Sequence, residues 1–199
     1  AGTYRINAAL KIPPYAHLVG EGPDKTIIKN SGSNAVMVTM DDEGNVEANI
    51  GNSGATTPTQ IQISNMTIRN TVAYGGISLD RVTKAYFNNV KFQGSYASGG
   101  ADASNSKGVT VTNSTATYST TGVVFNQCQF TKFARLVDIS FDATNIRFHD
   151  CDFATAYYGS LIGAEMDGST AGLVNGPRDI HFANSSWSDI GQQAIWVKP

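Results

Sequence analysis

Five segments of eight residues share one pattern of apolar and polar side chains, and this repeat constrains the fold of the chain more than any other feature. Residues at the third place, the anchors, lie 24, 38, 23 and 34 residues apart. The first, third, sixth and eighth places are apolar at 19 of 20 positions, and the second, fourth and seventh places are polar at 12 of 15. The segments are Ile61–Ile68, Ala85–Phe92, Val123–Phe130, Ile146–Phe153 and Ile180–Trp187.

Each segment alternates between apolar and polar residues on both sides of its fifth place. A period of two is typical of a strand with one buried face. The fifth place is Asn65, Asn89, Gln127, Asp150 or Asn184. Asn and Asp tolerate the left-handed backbone conformation and form local hydrogen bonds. The fifth place therefore predicts a turn between two short strands.

A further apolar strand follows four of the anchors after 12 to 16 residues. Its residue pairs are Ile77 and Leu79, Val137 and Ile139, Ile162 and Ala164, and Ile195 and Val197. A single unit cannot bury its apolar face, but stacked units can, with neighbouring strands ~4.8 Å apart. A propeller would need blades of about 40 residues with four strands each. The repeat predicts an all-β fold, a right-handed parallel β-helix (a solenoid) with coils of about 23 residues.

The prediction covers residues 1–199 as a single β-helix domain, with opening coils in 1–40 and repeating coils in 61–199. We expect the chain to be a segment of a longer protein. Its Gly-, Ser-, Thr- and Asn-rich insertions, residues 41–60, about 112–122 and 165–177, all precede an anchor strand. Successive coils should therefore project them at one corner. Such loops could bind glycan, contact other subunits, or be tolerated surface insertions.

Stacking of the coils predicts two rows of rings inside the solenoid. One row contains the aromatic anchors and the other the aromatic eighth places Phe92, Phe130, Phe153 and Trp187. Cys128 and Cys151 share the sixth place on adjacent coils, so they should point inward. Side chains held parallel fit the dihedral angle of a disulfide poorly. We predict two free, buried thiols that act as small apolar groups.

The first coils resemble a known family. The stretch from Gly2 to Ile28 contains Gly-Thr-Tyr, Ile-Pro and Gly-x-Gly-x-x-x-Thr elements and is similar to the opening coils of pectate-lyase-like β-helix proteins, which include bacteriophage tailspikes. Two Cys-x-Phe elements and Val174-Asn-Gly-Pro177 resemble structural proteins of tailed-phage virions. The resemblance implies a virion protein, other virion subunits as partners, a homotrimer, and host surface glycan as a further partner. The fold hosts lyases, hydrolases, adhesins and inert shafts, so the resemblance implies fold more than chemistry.

Glycan cleavage would need two carboxyl groups facing one sugar bond, ~5–9.5 Å apart. Asp138, at an outward position between two apolar residues, and Asp152, also outward, are the catalytic candidates. The remaining acids have structural interpretations: Asp150 occupies a turn, and the others lie in loops expected to be solvated or beside Asp138. These others are Asp41, Asp42, Glu43, Asp142, Glu165 and Asp167.

Other chemistry has little support in the sequence. The histidines His17, His149 and His181 fall on different rows, so we predict neither a metal site nor a cofactor. Gly20-Glu-Gly22 lacks the glycine spacing of a phosphate-binding loop and is interpreted as a tight corner. Lys and Arg number 14 against 16 Asp and Glu, which argues against nucleic-acid binding. No apolar run approaches the ~20 residues of a membrane span, so no membrane insertion is predicted.

Two functions compete. The chain is predicted to be a structural or adhesive segment of a virion tail appendage, with the solenoid as a rigid rod. The alternative is a polysaccharide depolymerase, for which Tyr86, Tyr157 and Tyr158 are candidate sugar-stacking residues. A secreted bacterial adhesin is a third hypothesis. Because the repeat register brings no two carboxylates together outside the loops, we expect no glycan cleavage by this segment alone.

Overall fold

A computed structural model describes residues 1–51, 54–112, 119–163 and 176–197. Within these ranges the chain forms eighteen strands and one short 3₁₀ helix, Glu47–Asn49. No helix among the described residues is long and apolar enough to cross a bilayer. All neighbouring strands pair in parallel, in two sheets of eleven and seven strands. The structure confirms the parallel β-helix.

The eleven-stranded sheet contains the anchor strands and the strands that follow their turns. Its strands are β1 (Gly2–Ile6), β3 (His17–Val19), β4 (Thr26–Asn30), β6 (Thr59–Asn70), β8 (Thr83–Gln93), β10 (Thr120–Asn126), β11 (Gln129–Thr131), β13 (Ala143–His149), β14 (Asp152–Ala156), β16 (Arg178–Ala183) and β17 (Ser186–Ile190). In β6 and β8 the anchor strand and its successor form one continuous element.

The seven-stranded sheet closes the opposite side of each coil. Its strands are β2 (Leu10–Ile12), β5 (Met37–Thr39), β7 (Ile77–Asp80), β9 (Lys107–Thr112), β12 (Arg135–Ile139), β15 (Tyr158–Ile162) and β18 (Ile195–Val197). A complete coil thus has three strand pieces: an anchor strand, the strand after the turn, and a strand of the seven-stranded sheet.

The fifth place of the repeat adopts the predicted turn in every segment. The φ angles there are 56° at Asn65, 51° at Asn89, 53° at Gln127, 52° at Asp150 and 49° at Asn184. The side chain of Asn89 donates a hydrogen bond from Nδ2 to Oδ1 of Asn65, at 2.9 Å. Left-handed backbone costs an ordinary residue ~1–2 kcal/mol. Hydrogen bonding between stacked amides offsets part of this cost.

A second column of left-handed residues begins the anchor strands and was not predicted. Gln60, Lys84, Gly122, Asn145 and Asp179 have φ angles between 51° and 69°. The residue before each of them pairs with its equivalent on the neighbouring coil, so the same bend recurs in successive coils. The bend lets the chain turn the corner before the next anchor strand.

Two rows of stacked rings fill the core. Phe125 lies between Phe87 and Phe148, with ring centroids 4.7 and 4.9 Å away. In the second row, the centroids of Phe130 and Phe153 are 4.8 Å apart and their planes differ by 6°. Phe125 and Phe130 meet edge to face at 5.6 Å. Offset and edge-to-face contacts are the favoured geometries of aromatic pairs, and both predicted rows are confirmed.

The thiols of Cys128 and Cys151 are free and fully buried, as predicted. Each Sγ lies near a main-chain carbonyl oxygen of the coil before it: Phe87 for Cys128 and Phe125 for Cys151, both at 3.6 Å. Burial raises the pKa of the Cys128 thiol well above its ordinary value. The uncharged thiol is therefore the form of Cys128 in the folded protein, whereas hydrogen bonding, that with the Cys128 side chain foremost, lowers the pKa of Cys151.

The predicted inward residues of the seven-stranded sheet are confirmed in part. Ile162 pairs with Ile139, which lies at the same offset of 14 residues from its anchor, and Ser160 pairs with Val137. Ala164 lies outside the described residues. The strand that follows Phe87 was missed altogether: it is β9, whose Val109 and Val111 pair with β7 and β12.

The three predicted insertions make the same connection in their coils, and a fourth insertion leaves at a different corner. Those at 41–60, 112–122 and 165–177 do connect the seven-stranded sheet to the next anchor strand, although parts of them lie outside the described residues. A fourth insertion, residues 94–106, connects β8 to β9 at a different corner. We call it the 94–106 insertion. The insertion lengthens the interval between Phe87 and β9. This strand therefore does not lie 12 to 16 residues after its anchor, as the other inward strands do.

Candidate functional site

Asp138 points away from the core, as its position between Val137 and Ile139 predicted, but it is fully buried. The Nζ atom of Lys107, on the neighbouring strand β9, lies 2.9 Å from its Oδ2 atom. The Nη1 atom of Arg135 lies 3.6 Å from the same oxygen. Two adjacent cations favour the charged form of a carboxyl group. This environment suits a structural ion pair, or a base or nucleophile, better than a proton-donating acid.

The ion pairs of Asp138 extend to the 94–106 insertion. Arg135 donates two hydrogen bonds to Asp102, Nε to Oδ1 at 3.1 Å and Nη2 to Oδ2 at 2.7 Å. This fork-to-fork geometry is the strongest that a guanidinium forms with a carboxylate. Lys107, Asp138, Arg135 and Asp102 therefore form a network of alternating charges that connects the insertion to the seven-stranded sheet.

Asp152, the second catalytic candidate, is exposed on the outer face of β14. Its Oδ1 atom accepts a hydrogen bond from Oγ of Ser186 at 2.7 Å. It belongs to the eleven-stranded sheet, whereas Asp138 belongs to the seven-stranded sheet. The structure does not bring the two candidates together on one face. They therefore do not form the facing pair that glycoside hydrolysis requires.

Asp41 is not solvated, contrary to the expectation for its loop: it is fully buried. Its carboxylate accepts hydrogen bonds from the main-chain N–H groups of Glu43, Asn45 and Gly51 at 3.1, 2.8 and 2.9 Å. Burial acts to raise the pKa of Asp41, but the hydrogen bonds, with that of Gly51 foremost, outweigh burial and lower it. Asp41 organises the loop after β5, and its donors leave it little freedom for chemistry.

The remaining acids are dispersed. Asp42 is exposed and accepts a hydrogen bond from the N–H of Thr56 at 2.8 Å, and Glu43 is exposed. Asp142 is buried and left-handed, with a φ angle of 49°. Asp150 occupies its predicted turn. Glu165 and Asp167 lie outside the described residues.

The histidines occupy different rows, as predicted. His181 pairs with Arg147, whereas His149 pairs with Ala183. The Nε2 atom of His181 lies 2.5 Å from Oδ1 of Asp179, and Nη2 of Arg147 lies 3.9 Å from Oδ2 of the same carboxylate. These three side chains are 41% to 52% exposed, so the ion pairs are weak. No three His, Cys, Asp or Glu side chains within the described ranges are grouped as a metal site.

Tyr86 is the candidate sugar-stacking residue with a groove beside it. Its side chain is 43% exposed, and it lines a shallow groove of about 250 Å³ with Gln60, Gln62 and Lys84. Tyr157 and Tyr158 are half-buried and contact each other edge to face, with ring centroids 4.8 Å apart. Among residues 1–51, 54–112, 119–163 and 176–197, those that line the groove at Tyr86 include no carboxylate, so its chemistry suits binding better than cleavage.

A larger groove of about 440 Å³ was missed by the sequence analysis. We call it the polar groove. It lies between the outer face of the eleven-stranded sheet and the 94–106 insertion. One signal was available, the 38-residue interval between anchors where a coil needs about 23. The lining residues are Arg69, Thr71, Gln93, Gly94, Ser95, Tyr96, Ala97, Ser98, Lys132 and Thr155.

The stacked coils, inward aromatic rows and asparagine turns define the chain as a parallel β-helix protein. The model of the family "Rhamnogalacturonase A/epimerase, pectate lyase-like" matches residues 1–172. The chain belongs to this family. The resemblance found in the opening coils is thereby confirmed.

Among solved structures, ORF18 of Geobacillus virus E2 is similar, with a TM-score of 0.63 and 17% sequence identity. The match covers 99% of this chain and 41% of that chain. At this identity the likeness establishes a shared fold. No curated protein matches the chain.

Proposed function

We propose that the chain is a structural and adhesive segment of a bacteriophage tail appendage, such as a tail fibre, a tailspike or a baseplate-associated protein. In this role the β-helix is a rigid rod. The observation that carries the proposal is the continuity of the core. Both aromatic rows run through four successive coils, with centroid separations of 4.7 to 5.0 Å from Phe87 to Phe182 and from Phe92 to Trp187.

Rigidity follows from this packing. Each coil is hydrogen-bonded to both neighbours through two sheets, so bending the rod would strain main-chain ladders and ring stacks together. Interiors packed at the density of organic crystals transmit strain rather than absorb it. A solenoid of this kind resists local opening, which suits a part that bears load outside a cell.

Family membership and the shared fold with a Geobacillus virus E2 protein are consistent with this role. This chain spans 41% of the length of that viral protein. Within the proposal, the chain is located in the virion, its partners are other virion subunits, and it assembles as a homotrimer. Native mass spectrometry of the full-length protein should then give three chains per particle.

A second candidate function is depolymerisation of polysaccharide. The observation in its favour is the family itself, which is named for a rhamnogalacturonase and an epimerase. Asp138 is the residue on which this candidate depends, because its carboxylate is held beside two cations on the outer side of the seven-stranded sheet.

Two experiments separate these functions. Antibodies against the recombinant chain should label the tails of purified particles in negative-stain electron microscopy. Labelling confined to the soluble fraction of a lysate would contradict the structural role. In parallel, the full-length assembled protein is incubated with host capsule or lipopolysaccharide, and new reducing ends and unsaturated products are measured.

The structural role predicts no release of sugar. Release that disappears in a folded Asp138→Asn variant, and persists in Asp152→Asn, would instead establish the depolymerase. Release that survives every substitution of Asp and Glu in this chain would place the active site elsewhere in the longer protein.

A further inference from the structure

The polar groove is built by residues far apart in the sequence. Arg69 and Gln93 form neighbouring positions on the outer face of β6 and β8. On the next two coils, Lys132 directly follows β11 and Thr155 lies within β14, and both adopt left-handed backbone, with φ angles of 60° and 57°. The groove therefore crosses successive coils rather than following one strand.

The 94–106 insertion forms the other wall and is held in place by hydrogen bonds. The N–H of Tyr96 donates to the carbonyl oxygen of Lys132 at 2.7 Å, and its Oη donates to that of Gly100 at 2.8 Å. The Oγ atom of Ser98 donates to Oδ1 of Asp189 at 2.7 Å. The groove is thus formed in advance, which reduces the ordering cost of binding.

Two cations, Arg69 and Lys132, line the groove, and the carboxylate nearby, that of Asp189, is hydrogen-bonded to Ser98. Within the described part of the chain, neither Arg69 nor Lys132 forms an ion pair or a side-chain hydrogen bond, and Nε of Arg69 is buried without a hydrogen-bond partner. The cations Lys107 and Arg135, by contrast, are both paired with Asp138. An unsatisfied buried donor is costly, so Arg69 has free energy to gain from an acceptor that enters the groove.

Neutral hydrogen-bonding groups surround these cations. Gln93 and Thr155 offer an amide and a hydroxyl, and none of the described residues that line the groove is a carboxylate. Burial, and then the charge of nearby Asp189, raise the pKa of Tyr96. Its phenol O–H already donates to Gly100, so Tyr96 shapes the wall of the groove rather than offering a donor to a ligand. The two cations, the amide and the hydroxyl match a molecule that carries both an oxyanion and hydroxyl groups.

We propose that the polar groove binds an anionic polysaccharide, with Arg69 and Lys132 holding a carboxylate or phosphate oxyanion and Gln93 and Thr155 contacting sugar or polyol hydroxyls. The volume of about 440 Å³ lies within the range of small-molecule sites, ~300–1,000 Å³. Arg and Lys are the residues that bind carboxylate and phosphate groups in proteins. The inference rests on the adhesive part of the proposed function, to which it adds the class of ligand.

The test measures binding of the full chain to four soluble polymers by isothermal titration calorimetry. Polygalacturonate carries carboxylates, poly(glycerol phosphate) carries phosphodiesters, and dextran and hydroxyethyl cellulose are neutral. We expect one or both anionic polymers to bind, more weakly as ionic strength rises, and the neutral polymers not to bind. The two anionic arms identify which oxyanion the groove prefers. Binding of neither anionic polymer, or equal binding of the neutral ones, would overturn the proposal.

Substitutions locate the binding. Arg69→Gln and Lys132→Gln should each raise Kd about tenfold or more, because a hydrogen bond to a charged group is lost. Lys91→Gln is the matched control, since it removes the same charge from the outer face of β8 outside the groove. An equal loss in Lys91→Gln would indicate non-specific attraction and refute the site. If Arg69→Gln fails to fold, as judged by circular dichroism, the Kd of the Lys132→Gln variant tests the proposal.

This binding test needs no virion, so its failure is distinguishable from failure of the structural role. Tail labelling without polymer binding would support the structural role and refute the proposed ligand. Polymer binding without tail labelling would leave an anionic-glycan-binding β-helix outside the virion.

Discussion

Phe125 and Phe148 stack face to face, with ring centroids 4.9 Å apart and planes inclined by 5°. They lie at the same place of adjacent coils, paired between β10 and β13. Both side chains are fully buried. The contact shows how a repeat in sequence becomes a column in space, because the strand register places every anchor ring directly on the one before it.

Removal of one ring from this column should be costly. Phe148→Ala is expected to lower the free energy of unfolding by ~3–5 kcal/mol, through lost burial and the cavity left behind. Equilibrium denaturation in urea measures the change. Tyr86→Ala, at a ring on the outer face that is 43% exposed, is the control and should change stability by about 0.5 kcal/mol. Equal effects of the two substitutions would contradict the column.

The thiols are expected to be inaccessible in the native state. Titration with Ellman's reagent should detect no reactive thiol in the folded protein and two after denaturation, because Cys128 and Cys151 are fully buried. Burial also suppresses the thiolate at Cys128, and the thiolate is the reactive form. A count below two after non-reducing denaturation would reveal a disulfide and refute the prediction.

The buried carboxylate of Asp138 is expected to matter for stability. Asp138→Ala leaves Lys107 and Arg135 without their shared acceptor, and breaking a buried ion pair typically costs ~3–5 kcal/mol. Thermal and urea unfolding measure the loss. Asp152→Ala removes an exposed carboxylate and should cost ~0–1 kcal/mol. A stable Asp138→Ala variant would show that the network contributes little and would strengthen the case for a role in chemistry.

Asp41 should make the loop after β5 sensitive to acid. Its pKa is lowered in the folded protein from the ordinary value of 3.8. A depressed pKa contributes stability that is present above the unfolded value and lost as pH falls through the folded value. At pH 7, Asp41→Asn is expected to destabilise the protein by ~1–3 kcal/mol, because buried N–H donors lose their acceptor.

The difference in unfolding free energy between wild type and Asp41→Asn should narrow as the pH falls below the unfolded pKa of 3.8 and through the lower folded pKa of Asp41. Urea denaturation of both proteins at a series of pH values measures it. A difference in unfolding free energy that stays constant down to acid pH would indicate that the charge of Asp41 contributes nothing to stability. Asp42→Asn, at an exposed neighbour, is the control.

The fold could be predicted because its rules are local. Alternation along Val123–Phe125 and Ile146–Phe148 assigns each side chain to one face of a pleated strand, and the structure buries all the predicted inward residues there. The turn at Asn65 and its equivalents depends on the backbone preference of a single residue. Where the prediction failed, as at β9, an insertion had broken the spacing on which it depended.

The candidate site was predictable only in part. The sequence indicated that Asp138 faces away from the core, that Asp152 lies outward, and that the thiols lie inward, since each follows from position in the repeat. Only the tertiary structure decided that Asp138 is buried beside Lys107 and Arg135, that Asp41 is enclosed by main-chain donors, and that Arg69 and Lys132 face one groove. The reason is physical. Alternation specifies the direction of a side chain relative to its own strand, whereas burial and charge pairing of an outward side chain depend on segments that folding brings from distant parts of the chain.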